Sequence, residues 1–283
     1  MSSSFSTVKT QGIIPKKSLG QNFLIDQNIV RKFVRAAKIG KNDVILEIGP
    51  GLGALTREMA LYAKKIVAVE KDESLSSLLK DALKKEGVKN VEIITGDVLK
   101  KLPEMKKGYK AVANAPYYLI SFLIRKLLES ENKPKQIVFF IQKEMAKRIC
   151  AKPPEMNLLA VSVNFYAKPE IAAFVSKNCF WPKPKTDSAI IIITPFKRKK
   201  DDLFFTLVKA GFSHPRKQVA NNLSKGLKME KENIEAILKK NGINSKARAQ
   251  ELSVDDWLNL SLYFSKENIV KESGLRDFST SGL

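Results

Sequence analysis

Six short apolar runs punctuate this chain, at residues 44–48, 65–69, 91–95, 109–113, 136–142 and 189–194. Each is five to seven residues long, the length of a strand buried on both faces and too short for an independent helix. Residues 54–64 and 120–128 carry apolar positions at helical spacing between them. Strand and helix in alternation predict an α/β domain around a mostly parallel, Rossmann-like sheet. The period changes after residue 195. Residues 203–212, 218–227, 231–241 and 254–264 have helical apolar spacing, which predicts a small all-helical C-terminal domain. The expected organisation is a mobile arm over residues 1–15, a catalytic domain over 16–195, a solvated linker at Lys197-Arg198-Lys199-Lys200, a helical domain over 201–264 and a disordered polar tail over 265–283.

Candidate chemistry collects at the ends of the runs. The run 44–48 ends in Gly49-Pro50-Gly51-Leu52-Gly53, and helical spacing starts at Ala54. Strand, glycine turn and helix in that order let bare backbone approach a ligand closely. Gly49, Gly51 and Ala54 satisfy the dinucleotide pattern G-x-G-x-x-A, and Glu70 closes the next run about twenty residues on, where a carboxylate takes ribose hydroxyls. That arrangement serves NAD and S-adenosylmethionine equally. Three features favour the methyl donor. Glu47 stands before Ile48-Gly49 in an acidic-x-Gly-x-Gly series. Gly96-Asp97 follows the run 91–95 and places a carboxylate for an adenine amino group. Asn114-Ala115-Pro116-Tyr117 follows the run 109–113.

This tetrad fits the Asn-x-Pro-Tyr pattern of enzymes that methylate an exocyclic amino group of a nucleobase. The lone pair of adenine N6 is delocalised into the ring, so the nitrogen needs positioning. The Asn114 amide oxygen and the Ala115 backbone carbonyl can accept its two N–H hydrogens. Pro116 fixes its own φ and biases Ala115 away from the helical region, which sets the carbonyl direction in advance. Tyr117 offers a flat face for an extruded base. The same residue types occur in ordinary turns. A place between strand and helix, where open α/β sheets build their sites, selects the catalytic reading.

With these residues in view the chain resembles the KsgA/RsmA small-subunit rRNA adenine dimethyltransferases, relatives of the Erm rRNA methyltransferases. The resemblance runs from Lys16 to about Phe264. Besides the glycine loop, it rests on Lys17-Ser18-Leu19-Gly20-Gln21-Asn22-Phe23-Leu24 and on Phe180-Trp181-Pro182-Lys183-Pro184-Lys185-Thr186-Asp187-Ser188-Ala189. It implies a class I S-adenosylmethionine-dependent methyltransferase fold that dimethylates N6 of two adjacent adenines in 16S rRNA. It implies that S-adenosylmethionine contacts Asn22, Leu24, Gly49, Gly51, Glu70, Asp97 and Asn114. Phe180 would be a second aromatic beside the target adenine, opposite Tyr117. Two positions depart from the family. Ala115 stands where Leu or Ile is usual, and Met156-Asn157 where Tyr-Gly is. An Erm-like enzyme acting on 23S rRNA would share every catalytic residue, but 215–223 resembles the dimethyltransferase C-terminal domain more. A non-catalytic ribosome-assembly factor on the same fold is the other rival, and the intact tetrad argues against it.

Charge agrees with an RNA partner. Lys and Arg number 50 against 29 Asp and Glu, a formal net charge of +21. From Lys197 onward 17 basic and 11 acidic residues leave +6, so +15 falls on the part that carries the tetrad. Such a charge implies a polyanionic partner and salt-sensitive binding. Lys16, Lys17, Lys143, Lys147, Arg148, Arg216 and Lys217 are the expected RNA contacts, since each lies near a recognised motif. Cys150 and Cys179 have no metal-ligand spacing, His214 is the only histidine, and no metal site is expected. No apolar run is long enough to span a bilayer. The expectation is a cytoplasmic monomer that meets rRNA in a small ribosomal subunit or its precursor.

Overall fold

The computed structural model describes residues 15–16, 20–115 and 117–266, without the side chains of Tyr117 and Tyr118. Lys17, Ser18, Leu19 and Pro116, most of the N-terminal arm and all but the first two residues of the expected tail lie outside the described residues. Two compact units form. One holds the described residues up to Ala146 with Lys168–Pro195; the other holds Lys147–Ala167 and the described residues from Phe196 onward.

The first unit is built on β1 (Phe23–Leu24), α1 (Gln27–Ala36), β2 (Val44–Ile48), α2 (Ala54–Ala60), β3 (Lys65–Glu70), α3 (Glu73–Lys85), β4 (Val91–Thr95), β5 (Lys110–Ala113), α4 (Tyr117–Glu129) and β6 (Gln136–Gln142). α5 (Lys143–Ile149) leads out of it. After α6 (Leu158–Tyr166) in the second unit, the chain contributes β7 (Ala167–Val175), β8 (Phe180–Trp181) and β9 (Ser188–Pro195). Among the described residues seven strands form one sheet in the order β4-β3-β2-β5-β6-β9-β7, and β1 pairs with β8. β4, β3, β2, β5 and β6 are mutually parallel, with Ile45 beside both Ile66 and Lys110. β9 enters antiparallel to β6, aligning Ile191 with Phe139. The central apolar runs become strands because both faces are covered: Ile45, Leu46, Ile66, Ala111, Val138 and Ile190 are all 0% exposed, whereas β4, at the sheet edge, has no buried residue.

The expected helix over 54–64 stops at Ala60. The Asn90 side-chain amide donates to the carbonyls of Ala60 and Ala63, both at 2.9 Å, and so turns the chain into β3. α1, α3, α6 and β7 have no counterpart among the elements expected from the sequence. α1 and α3 begin at aspartate caps: Asp26 accepts from the Asn28 amide at 2.8 Å and Asp72 from the Ser74 amide at 3.1 Å.

The second unit joins α6 to α7 (Asp202–Gly211), α8 (Val219–Leu227), α9 (Lys231–Lys240) and α10 (Val254–Lys266). Residues 147–167, expected within the catalytic domain, therefore group with the helices. The cause is aromatic: the Phe165 ring packs tilted on Phe204 and edge to face on Phe205, with centroids 4.3 and 5.0 Å apart. Nor is the basic stretch 197–200 wholly solvated. The Arg198 guanidinium sits 5.1 Å from the Phe165 ring and donates to the Phe165 carbonyl at 2.8 Å. Asn157, one of the two departures from the family pattern, caps α6 by accepting from the Ala160 amide at 3.1 Å.

Candidate active site

β3 and β5 flank β2 on opposite sides, so the connections leaving their carboxyl ends diverge and open a crevice there. The crevice holds about 960 Å³ of empty space. Its floor is the glycine loop after β2. Gly51 has φ +57°, in the left-handed region, and a Cβ there would stand 3.3 Å from the Phe23 ring. That conformation aims the Gly51 N–H at Glu70 Oε2, 3.0 Å away. Asn22, Leu24, Gly49, Gly51, Glu70, Asp97, Asn114 and Ala115 all line this one cleft, although they come from points scattered over the first 115 residues.

Each polar group is held by a neighbour. Glu70, the last residue of β3, is 7% exposed, and its Oε1 accepts from the Asp72 amide at 2.9 Å. Burial pushes its carboxyl above the usual value, against the pull of these backbone donors. Asp97 accepts from the Leu99 amide at 2.9 Å and pairs with Lys71 at 2.9 Å; the Lys71 ammonium chiefly holds its carboxyl below the usual range. The Asn114 side-chain nitrogen donates to the Asn22 backbone carbonyl at 3.2 Å, which leaves the amide oxygen as the acceptor end. Ala115 is 5% exposed. Its small side chain leaves the cleft to its backbone.

Glu47 is 1% exposed and also lines the cleft. Its Oε2 accepts from the Thr56 hydroxyl at 2.8 Å. Burial pushes its carboxyl up to about 8, the Thr56 hydroxyl opposes this and the Glu70 charge adds to it. Burial therefore favours its protonated form.

Several groups at the site escaped the sequence reading. Asp72, 5% exposed, receives the Lys16 ammonium at 2.8 Å and the Gln21 amide at 3.1 Å, while Gln21 Oε1 accepts from the Lys16 backbone at 2.8 Å. Burial alone would raise the Asp72 carboxyl, but Lys16 and Gln21 outweigh it and hold it low. Lys16, expected on RNA, thus has a protein partner, and it ties the segment before β1 to the start of α3. Asp72 stands two residues beyond Glu70, and that proximity was the available signal.

Phe180 is not brought into the cleft. It is 3% exposed on β8, paired with Leu24 of β1, and meets Phe140 edge to face at 5.6 Å. Its ring backs the strand that carries Leu24 because the sheet face beneath it is apolar. Pro116 and the Tyr117 ring lie outside the described residues. Lys143 stands over the exposed Phe174 ring at 5.3 Å, and Lys147, Arg148, Arg216 and Lys217 are exposed.

Residues 14–266 match the family described as Ribosomal RNA adenine dimethylase. The Ribosomal RNA small subunit methyltransferase A of Dehalococcoides mccartyi (strain CBDB1) is 40% identical over 88% of each chain. That of Clostridioides difficile (strain 630) is 40% identical over 87% of this chain and 89% of its own. Among solved structures, a dimethyladenosine transferase from Plasmodium falciparum superposes with TM-score 0.78 at 28% identity, covering 87% of this chain and 98% of that one. The 23S rRNA methyltransferase ErmE superposes with TM-score 0.72 at 24% identity over 86% of this chain and 99% of its own, a likeness of fold. The strand order, the reversed β9 and the cleft at the sheet switch point are thus those of a class I methyltransferase, and the chain belongs to the ribosomal RNA adenine dimethylase family.

Proposed function

We propose that this protein transfers methyl groups from S-adenosylmethionine to N6 of adenines in small-subunit rRNA, to the dimethyl product, on two adjacent adenines. The observation that carries the proposal is the meeting of Glu70, Asp97 and the Asn114–Ala115 backbone in one cleft. The donor set fits a nucleoside. Bare backbone at Gly49 and Gly51 permits close approach, the Glu70 carboxylate suits paired ribose hydroxyls, Asp97 suits an exocyclic amino group, and Leu52, Leu75 and Val98 supply apolar walls. The bound donor supplies a methyl group on a cationic sulfur.

The chain's own residues do the rest by positioning. The Asn114 amide, oriented by the Asn22 carbonyl, accepts from one N6 hydrogen, and the Ala115 carbonyl accepts from the other. Both acceptors gain strength as N6 becomes cationic, which favours the transition state over the ground state. The proton leaves late, to water or through Asn114. Monomethyl-adenine has one N–H left, and the small Ala115 side chain leaves room for its methyl group in the second transfer. The rRNA is met within a small subunit or its precursor, by a cytoplasmic monomer. Lys143, Lys147, Arg148, Arg216 and Lys217 are the proposed phosphate contacts, and Tyr117 is the proposed stacking face.

Incubation with labelled S-adenosylmethionine and unmethylated small or large subunits, followed by mapping of dimethyladenine, tests the assignment. Transfer to the small subunit alone is expected; transfer to the large subunit would favour the Erm-like reading. Glu70→Ala should weaken donor binding by about 1.5–3 kcal/mol, as for hydrogen bonds to a charged group. Asn114→Ala should cost about 10²–10³-fold in turnover, as for one missing transition-state partner. Full turnover by folded Asn114→Ala would overturn the mechanism.

A further inference from the structure

A second cavity lies at the amino-terminal edge of the sheet, the edge opposite the cleft. It is a groove with about 600 Å³ of empty space, lined by Arg31, Arg35, Lys38, Glu58 and Tyr62 with Val34 and Ile39 beneath. Arg31 and Arg35 are one turn apart on α1, so they share a face. Lys38 follows the helix with φ +47°, a left-handed conformation uncommon for a residue with a side chain. It is held there from both sides. Its N–H donates to the Arg35 carbonyl at 3.0 Å, and its own carbonyl accepts from the Lys110 ammonium at 2.6 Å. Lys110 is itself 6% exposed and paired with Asp43 at 2.9 Å. A buried ion pair thus fixes the backbone that presents Lys38 to solvent.

Charge in the groove is only partly compensated: three cations face one carboxylate in the lining, a net +2. Arg31, Arg35 and Lys38 are exposed, and none of them forms an ion pair among the described residues. Glu58 is the one acid in the lining, and it accepts from Gln27 at 3.1 Å. The neighbouring Asp43 is buried and taken by Lys110 and Lys135. The loops leading into β2, β3 and β5 add exposed Lys41, Lys64, Lys106 and Lys107 on the same edge. Tyr62, 46% exposed, puts an aromatic face beside the cations. Spaced cations with a ring among them suit a sugar-phosphate backbone with an unstacked base.

We infer that this groove is a second RNA-binding surface, which grips rRNA away from the adenine in the cleft. The five residues of β2 separate the two edges by roughly 17 Å at about 3.3 Å per residue, so both surfaces are filled only by an RNA that wraps the domain. The identity of the polyanion rests on the proposed activity; the groove's geometry does not.

The test compares the full chain with Arg31→Glu/Arg35→Glu/Lys38→Glu and with the milder Arg31→Gln/Arg35→Gln/Lys38→Gln. Each is titrated against naked small-subunit rRNA, the unmethylated subunit and a short oligoribonucleotide carrying two adjacent adenines. The glutamate variant should bind naked rRNA at least about tenfold more weakly, with a log–log salt slope shallower by about two to three, because three cations no longer neutralise phosphates. The glutamine variant should fall between, and affinity for the oligonucleotide and for S-adenosylmethionine should stay at the wild-type value. Unchanged rRNA affinity and slope would overturn the inference. So would a weakening seen with the assembled subunit but not with naked rRNA, which would mark a protein partner instead. If the wild type methylates no rRNA, the proposed activity fails, while the binding comparison still decides the groove.

Discussion

At the scale of single residues, protonation is where structure adds most to sequence. Glu47 is an acidic letter in a glycine-loop pattern, yet its surroundings keep it neutral up to about 8. An unfolded glutamate loses its proton near about 4.3, so the folded state carries one more proton between those values. Stability from Glu47 is fully present below that unfolded value and is lost as pH rises through about 8. Glu47→Gln keeps an acceptor for Thr56 and removes the titration. Thermal melts across roughly pH 5 to 9 should show the wild-type midpoint falling where the variant's stays flatter, with the widest gap at the alkaline end. Parallel curves would count against a neutral Glu47. Phe180 makes the same point from the other side. Its place in a family motif implied a face for a base, and only the apolar sheet behind it shows why the ring is buried.

Among the elements, the central strands of the parallel sheet were legible because burial on both faces leaves short, mainly apolar runs. The helices of the second unit were legible because one-sided burial leaves a periodic stripe. α6 was not, since Leu158–Tyr166 is apolar nearly all round and offers no stripe. β7 alternates half-buried and exposed positions between two buried ends, but with small, charged and proline residues that weaken the signal. Of the candidate site, the placing of Glu70, Asp97 and Asn114 in one cleft was legible, because each stands just beyond a recognised run. The clasp of Lys16 and Gln21 on Asp72 was not, because a tertiary pair leaves no local pattern. Asp72→Ala removes both that clasp and the cap of α3, at a cost of about 1 kcal/mol for the cap. It should also weaken donor binding and expose the segment around Gln21 to protease, with the rest of the fold intact. Wild-type protease resistance of that segment would show that the clasp is dispensable.

For the whole molecule, charge sets behaviour. A net +21 should make RNA affinity fall steeply and linearly in log–log against salt. Arg216→Glu/Lys217→Glu should lower RNA affinity and flatten that dependence by about two, while donor affinity holds. A flat wild-type salt dependence would favour recruitment through protein contacts. Residues 147–167 add +2 to the +6 counted from Lys197 on, so the helical unit carries +8 and the first unit +13, and the first unit brings its own attraction to a polyanion.

The hydrogen bond from Asn114 to the Asn22 carbonyl has a thermodynamic consequence. Asn22 lines the cleft as an expected contact of the methyl donor, and Asn114 belongs to the grip proposed for the target base. Either ligand restrains one partner of this bond further, so the second meets a partner held more firmly. Linkage then requires each to tighten the other by one common factor. Titrating RNA with and without S-adenosylhomocysteine, and the reverse, should give two equal ratios of about fivefold, the low end of such couplings. In Asn114→Ala both ratios should fall to unity. If the variant keeps them, the two ligands are coupled through some other path, and this bond is only a local tether.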